Sequence, residues 1–204
     1  MASGDIKLTI CSDAMILLGA ASISSFSEGT DEAQIADRLY DDIRDTLLMQ
    51  YPYSWSIKKV KLAQLVDAPV NEWKYQYALP GDMLGNPKAM FITSGVGGSP
   101  VNDFEIYGTA VYTNFEEIWI DYQFRPEPGF FPPYFVNLLK HALAAAFAEP
   151  ITDQIQKADY YHRLAYGSPA ENMRGGLSRV SMNIDGVDRP NQNIMDFPLT
   201  EVRA

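Results

Sequence analysis

Apolar residues along the first quarter of the chain recur at the three- and four-residue steps of an amphipathic helix. One such row predicts a helix over residues 5–20: Ile6, Ile10, Ala14, Leu17 and Leu18. A second row predicts a longer helix over residues 31–51: Ile35, Leu39, Ile43 and Leu47. Asp31 and Gln34 resemble a capping box at the start of this second helix, and Pro52 ends it.

The apolar period changes to two at about residue 72, which is typical of β-strands. Trp73, Tyr75, Tyr77 and Leu79 alternate with polar residues up to the turn at 80–82. The pattern predicts further strands at 89–93, 104–107, 109–113 and 117–124. We expect these strands to form one small antiparallel sheet.

Helical patterns return after Pro132 and Pro133. The segment 134–148 is apolar nearly all round, which predicts a central, buried helix that Pro150 ends. A further helix is predicted over 153–166, with Asp153 and Gln156 as its cap. The run Ser168-Pro169-Ala170-Glu171 combines an N-cap, a first-position proline and a capping-box glutamate, so a short helix is predicted from there to residues 175–176.

Residues 177–204 show no period. They are too apolar for a purely solvated tail and too irregular for a domain, which predicts an extended arm that becomes ordered by docking on a partner. The apolar residues expected to make this contact are Leu177, Val180, Met182, Ile184, Ile194, Met195, Phe197 and Leu199.

Together these elements predict an α+β fold. Residues 1–70 and 127–176 are expected to form one helical bundle, residues 71–126 a β insertion, and residues 177–204 the docking arm. Cys11 is the single cysteine, and no Cys/His cluster offers zinc ligands, so packing alone must hold the fold. No apolar run approaches the roughly 18 to 20 residues of a membrane-spanning helix, so we expect a soluble, unsecreted protein without membrane contact.

The charge of the chain argues against a protein that grips nucleic acid. It has 16 Lys and Arg against 26 Asp and Glu, a net charge of -10, whereas phosphate binding is driven by basic side chains that displace counterions. DNA that only passes the protein is compatible with this charge. Asp37, Asp41 and Asp45 fall at four-residue steps on one helix face. That face is either simply solvated or an acidic strip turned toward passing DNA.

Candidate chemistry is sparse. His141 and His162 lack the partners of a catalytic or metal site, and the glycine-rich run 95–99 lacks both the lysine and the following helix of a phosphate loop. Glu117 and Asp121 lie on one strand face with Trp119 between them, an arrangement compatible with glycoside hydrolysis or glycan binding. Chance pairs of this kind are common in an acidic chain. The sequence therefore predicts no catalytic residue, no cofactor and no metal.

Several strings, in their order and spacing, resemble the tail tubular protein A family of short-tailed phages and the wider group of head-tail connector adaptors. They span about residues 10–165 and comprise Ile16–Ala20, Ile23–Phe26, the helix Ala33–Leu48, Tyr51-Pro52-Tyr53-Ser54-Trp55, Tyr77–Asp82, Phe131–Phe135, Leu138–Ala148 and Ile151-Thr152. The run Gly167-Ser168-Pro169 departs from the longer closing helix of that group.

The resemblance implies a helical bundle with a β insertion, assembled as a twelvefold ring beneath the portal of a virion made in the host cytoplasm. Such a ring binds itself, the portal and the next tail protein, and DNA leaves through its channel without specific binding. The family is not defined by a catalytic site. A tail-associated glycan hydrolase or glycan-binding module, and a monomeric domain of other function, remain the alternatives.

Overall fold

A computed structural model describes residues 6–95 and 98–187, and it has the predicted α+β fold. The helices of the described chain are α1 (Lys7–Leu18), α2 (Asp31–Gln50), α3 (Pro133–Thr152), α4 (Ile155–Tyr166) and α5 (Gly176–Val187). The strands are β1 (Ile57–Lys61), β2 (Ala63–Gln64), β3 (Tyr75–Ala78), β4 (Met83–Phe91), β5 (Phe104–Tyr107), β6 (Ala110–Thr113) and β7 (Trp119–Phe124). No helix in these ranges is long and apolar enough to cross a membrane.

Helix α3 is the centre of the helical core, as its apolar surface predicts. It packs against α1, α2, α4 and α5. Phe135, Leu139, Leu143 and Phe147 on α3 are fully buried. The tight packing of these side chains follows from the hydrophobic effect, at about 25 cal/mol per Å² of apolar surface removed from water.

Three predicted helix ends are wrong in detail. Helix α2 is capped by Thr30, whose hydroxyl oxygen accepts a hydrogen bond from the Ala33 N–H at 3.3 Å, and not by a box of Asp31 and Gln34. Helix α3 continues two residues past Pro150, because a proline in the last turn removes few helical hydrogen bonds. Asp153 then ends α3 in a left-handed conformation (φ 53°) and does not cap α4.

The short helix predicted from Ser168 is a single 3-10 turn. Its capping box is present as predicted, since Glu171 accepts hydrogen bonds from the N–H and the hydroxyl of Ser168 at 2.8 and 3.1 Å. Helix α5 then starts at Gly176, in the region predicted to lack a helix. Gly176 has φ +51°, and a Cβ there would lie 2.4 Å from the Leu164 carbonyl oxygen, so this close approach of α5 to α4 requires glycine.

The β region forms two antiparallel sheets, and the prediction of one sheet is wrong. Strands are ordered β1-β7-β4 in the first sheet and β2-β3-β6-β5 in the second. The two sheets share one apolar core, whose buried members are Leu62, Tyr77, Met90, Val111, Ile118, Ile120 and Tyr122. This core is separate from the helical one, although Leu84 of β4 is buried in the helical core.

The β region also starts earlier than predicted, at Ile57. Strand β1 carries Lys58, Lys59 and Lys61, which hide the alternation of its apolar residues. Strand β4 starts at Met83 and not at 89. The sequence pattern hides its first half, because Gly85, with φ +68°, and the register shift between Leu84 and Ala89 interrupt the period of two.

Gln123 on β7 joins the sheet to the helical core. Its side-chain Nε2 donates to the carbonyl oxygens of Leu48 and Tyr51 at 2.6 and 3.1 Å and to Ser56 Oγ at 3.0 Å. Leu48 lies in the last turn of α2, where carbonyl groups have no partner within the helix. A single amide from the sheet therefore caps the end of a helix.

We expect Gln123→Leu to lower the free energy of unfolding by about 1–3 kcal/mol, because the leucine fills the space but removes the donor from buried carbonyl groups. Chemical denaturation measures this difference. The matched control is Gln64→Leu at an exposed strand position, which we expect to change stability by less than about 0.5 kcal/mol. Equal effects of the two substitutions would contradict the capping role.

Candidate functional site

The side chains considered for catalysis lie in structural contacts. His141 Nδ1 is 2.8 Å from the Asn137 carbonyl oxygen one helical turn away, and the His162 ring stands 4.9 Å from the Tyr166 ring. Within residues 6–95 and 98–187, no three His, Cys, Asp or Glu side chains are grouped to hold a metal ion.

The two carboxylates of the glycan alternative have lysine partners across the β1–β7 pair. Lys61 Nζ lies 2.6 Å from Glu117 Oε1 and 5.2 Å from the centre of the Trp119 ring, and Lys59 Nζ lies 3.6 Å from Asp121 Oδ1. Such cross-strand ion pairs are a usual means of stabilising a sheet face. Glu117 and Asp121 therefore each lie beside a lysine of β1, and Trp119 shares Lys61 with Glu117.

The three aspartates of the acidic strip share their helix face with cations. Asp37, Asp41 and Asp45 are matched by one cation each from α1, α2 and the end of β7, so the local charge is close to balanced. The ion pairs are Lys7–Asp37 (2.7 Å), Lys7–Asp41 (3.4 Å), Arg44–Asp41 (2.7 Å), Arg44–Asp45 (2.8 Å) and Arg125–Asp45 (2.8 Å). On this stretch of α2 the three aspartates are therefore accompanied by cations. That the strip faces a channel stays a prediction.

Helix α5 corrects the expectation of an extended arm for residues 177–187, and its inward side is polar. Asp185, only 1% exposed, accepts hydrogen bonds from the Ser54 N–H (3.1 Å), the Ser54 hydroxyl (2.7 Å) and the Tyr134 hydroxyl (3.2 Å). The buried Ser181 hydroxyl donates to the Tyr53 hydroxyl oxygen at 3.2 Å. We call this set of contacts the Asp185 latch.

Burial keeps the phenols of the latch protonated. Burial raises the pKa of Tyr134, and the neighbouring Asp185 carboxylate raises it further. Burial also raises the pKa of Tyr53 to about 12. Tyr134 therefore keeps the proton that it donates to Asp185, and hydrogen bonds to a carboxylate are about twice as strong as those between neutral groups.

The outward side of α5 is apolar. Val180, Ile184 and Val187 follow one another at steps of four and three residues, and their exposed fractions are 49%, 39% and 82%. We call them the outward row. An amphipathic helix normally turns its apolar side toward the core. Scattered exposed apolar residues are ordinary, whereas an ordered row on one helix face is typical of an interaction site.

The predicted docking residues fall into three groups. Val180 and Ile184 are exposed and lie in the outward row. Leu177 and Met182 are half-buried, and Leu177 packs against the helical core. The others lie outside the described residues: Ile194, Met195, Phe197 and Leu199.

A second apolar surface lies between α2, α3 and α4. It is an open groove of about 420 Å³ whose α3 wall consists of alanines, and we call it the alanine groove. The residues that line it are Ile43, Ala142, Ala145, Ala146, Ile155, Ala158, Asp159, His162, Tyr166 and Met173. Ile155 is 70% exposed at this groove, and Asp159 is its one carboxylate.

Sequence reasoning missed both the latch and the groove. The signal for α5 is present, since the outward row and the polar set Ser178, Ser181 and Asp185 each recur at three- and four-residue steps. A row of polar residues is not normally assigned to the buried side, which hides this helix. The alanines of α3 predict a buried helix, but they do not show that their small size leaves a groove.

Comparison of the chain with protein-family models and with curated proteins finds no match. The function must therefore be argued from the chain itself.

We expect Asp185→Ala to detach α5, because the substitution removes charge-assisted hydrogen bonds that each contribute about 1.5–3 kcal/mol. Amide hydrogen exchange should accelerate at least tenfold across residues 177–187, while α3 stays protected. Asn183→Ala on the exposed side of the same helix is the control and should leave the exchange unchanged. Unchanged exchange in both variants would show that the latch does not hold the helix.

Proposed function

We propose that this chain is the ring-forming adaptor subunit of a tailed-phage head-to-tail connector. In the virion it joins the portal to the next tail protein and lets DNA pass during ejection, and it carries out no catalytic step. The observation that carries the proposal is α5, a helix near the C-terminal end that is fixed by the Asp185 latch and presents an apolar row outward.

Two of the strings that resemble connector adaptors lie beside α5. Tyr53 and Trp55 of one string contact Phe131 and Phe135 of another through ring pairs whose centres are 5.0 to 5.6 Å apart. Ser54, between the two aromatic residues, donates to Asp185. The resemblance and the docking helix thus meet in one aromatic cluster, which supports a common purpose for both.

The charge of the chain supports passage of DNA and not its capture. A net charge of -10 per subunit leaves no basis for the counterion release that drives phosphate binding. The cations that lie on the face of α2 are already paired with Asp37, Asp41 and Asp45. A channel formed by such subunits would present DNA with few unpaired positive charges, so the genome would not adhere.

The ring is tested by native mass spectrometry and negative-stain microscopy of the purified chain, alone and co-expressed with the portal protein of its own genome. We expect closed rings, twelve subunits in number, that attach to the portal. Deletion of residues 177–204 should abolish both, because it removes α5 together with the arm. Deletion of 188–204 alone retains α5 and separates the two contributions. Rings and portal attachment that survive the longer deletion would contradict the docking role.

We expect the assembled ring to bind double-stranded DNA no more tightly than about 10⁻⁴ M at physiological salt, the weak end of non-specific binding. Fluorescence anisotropy with a labelled duplex measures this affinity. Micromolar binding that weakens steeply with salt would instead indicate a surface that grips phosphates.

Release of sugars from host glycans, lost in Glu117→Ala or Asp121→Ala, would favour the glycan hydrolase over the adaptor.

A further inference from the structure

We propose that the outward row of α5 in one copy seats in the alanine groove of a second copy. This inference deepens the proposed function and rests on it, because it names the contact that would link neighbouring subunits. It starts from two apolar surfaces of one chain that differ in shape: a convex row of branched side chains and a concave groove.

From Val180 to Val187 the helix rises about 10 Å at 1.5 Å per residue, so the row spans about two turns. The alanine groove is bounded by alanines on α3 and α4, at positions 142, 145, 146 and 158. Helices pack when the side-chain ridge of one enters the groove of another, and small residues allow their backbones to approach closely. The branched side chains of the row would fill the space beside the alanines, between the larger side chains of Ile43, Ile155 and Tyr166.

The charges of the two surfaces are complementary. Arg179 is the exposed charged residue of α5, since Asp185 is buried in the latch. Asp159 is the charged residue that lines the groove. Arg179 has only a long contact with Glu171, at 3.9 Å. Asp159 is 57% exposed and pairs with Arg163 of its own helix at 2.7 and 3.1 Å, so Arg179 of a second copy would share the Asp159 carboxylate with Arg163. In a chain of net charge -10, a cation beside the row and a carboxylate beside the groove favour a row-to-groove contact.

A contact between two unlike surfaces is heterologous. Each copy then keeps one free row and one free groove, so the contact repeats. The assembly closes as a ring when the rotation from copy to copy closes, as the proposed function requires, and otherwise grows as an open filament. A contact of α5 with α5 would instead use one surface twice and would stop at a dimer. The proposal therefore specifies the connectivity of the subunits as well as the residues.

Two complementary variants test the contact. The row variant is Val180→Asp with Ile184→Asp, and the groove variant is Ala145→Asp with Ile155→Asp, so that an altered row and an altered groove repel each other. All four positions are partly or well exposed, so each variant should fold, which circular dichroism checks. The matched controls place the same charges at exposed apolar positions elsewhere: Val66→Asp with Val70→Asp, and Ile92→Asp.

Sedimentation velocity and native mass spectrometry give the result. We expect the self-association constant of each variant alone to fall at least tenfold, while the controls assemble as the wild type does. A mixture of the two variants should form one-to-one pairs and nothing larger, because only one intact row and one intact groove remain. A row variant that assembles like its control, or a groove variant that self-associates normally, would overturn the proposal. Normal self-association of the groove variant would indicate contact between two α5 helices.

Charge reversal provides an independent measurement. Arg179→Asp and Asp159→Arg should each weaken self-association about tenfold, and the protein that carries both should recover most of the loss. A double variant as weak as the sum of the two single ones would overturn the pairing of these residues.

The outcomes also separate this contact from the proposed function. Rings that persist in the row variant would overturn the row-to-groove contact and leave the adaptor intact. A wild-type chain that stays monomeric at every concentration, alone and with its portal, would overturn the adaptor and this contact with it.

Discussion

The burial of one aromatic ring, Phe135, is the constraint on which the arrangement of the described chain depends. Its ring lies 5.2 Å from that of Tyr53, 5.0 Å from that of Trp55 and 5.1 Å from that of Phe131, each at a steep angle between ring planes. Edge-to-face pairs of this kind are favourable beyond the area that they bury. Because Phe135 begins the central helix and Tyr53 precedes the first strand, this cluster fixes where the helical core and the sheets meet.

The same cluster explains why α5 is held by polar contacts. The rings of Tyr53 and Trp55 turn toward Phe135. The backbone N–H and the hydroxyl of Ser54, which lies between them, therefore face α5. The buried Asp185 carboxylate needs donors, and Ser54 and Tyr134 supply them. The buried residues of α5 are consequently polar, and Val180, Ile184 and Val187 lie on the outside.

Residues whose pattern agrees with their burial were predictable, and residues that reverse this relation were not. The row through Ile35 and Leu47 and the apolar surface of α3 gave two helices and the fold class, because ordinary hydrophobic burial decides them. Strand β1, in which three of five residues are lysines, and α5, which buries Ser178 and Asp185, escaped prediction because their stability comes from pairing and hydrogen bonds with distant residues. No local pattern shows that Gln123 caps a helix 75 residues earlier.

The latch has a geometric consequence that apolar docking would lack. Apolar side chains tolerate sliding and rotation of a helix on its support, whereas hydrogen bonds fix both distance and direction. Three donors that converge on one carboxylate therefore set the angle at which α5 packs on α3 and α4. In any closed assembly of repeated subunits, an angular error at one joint is multiplied by the number of joints. A helix whose angle is set by directional hydrogen bonds keeps that error small, so that a ring of many copies can close.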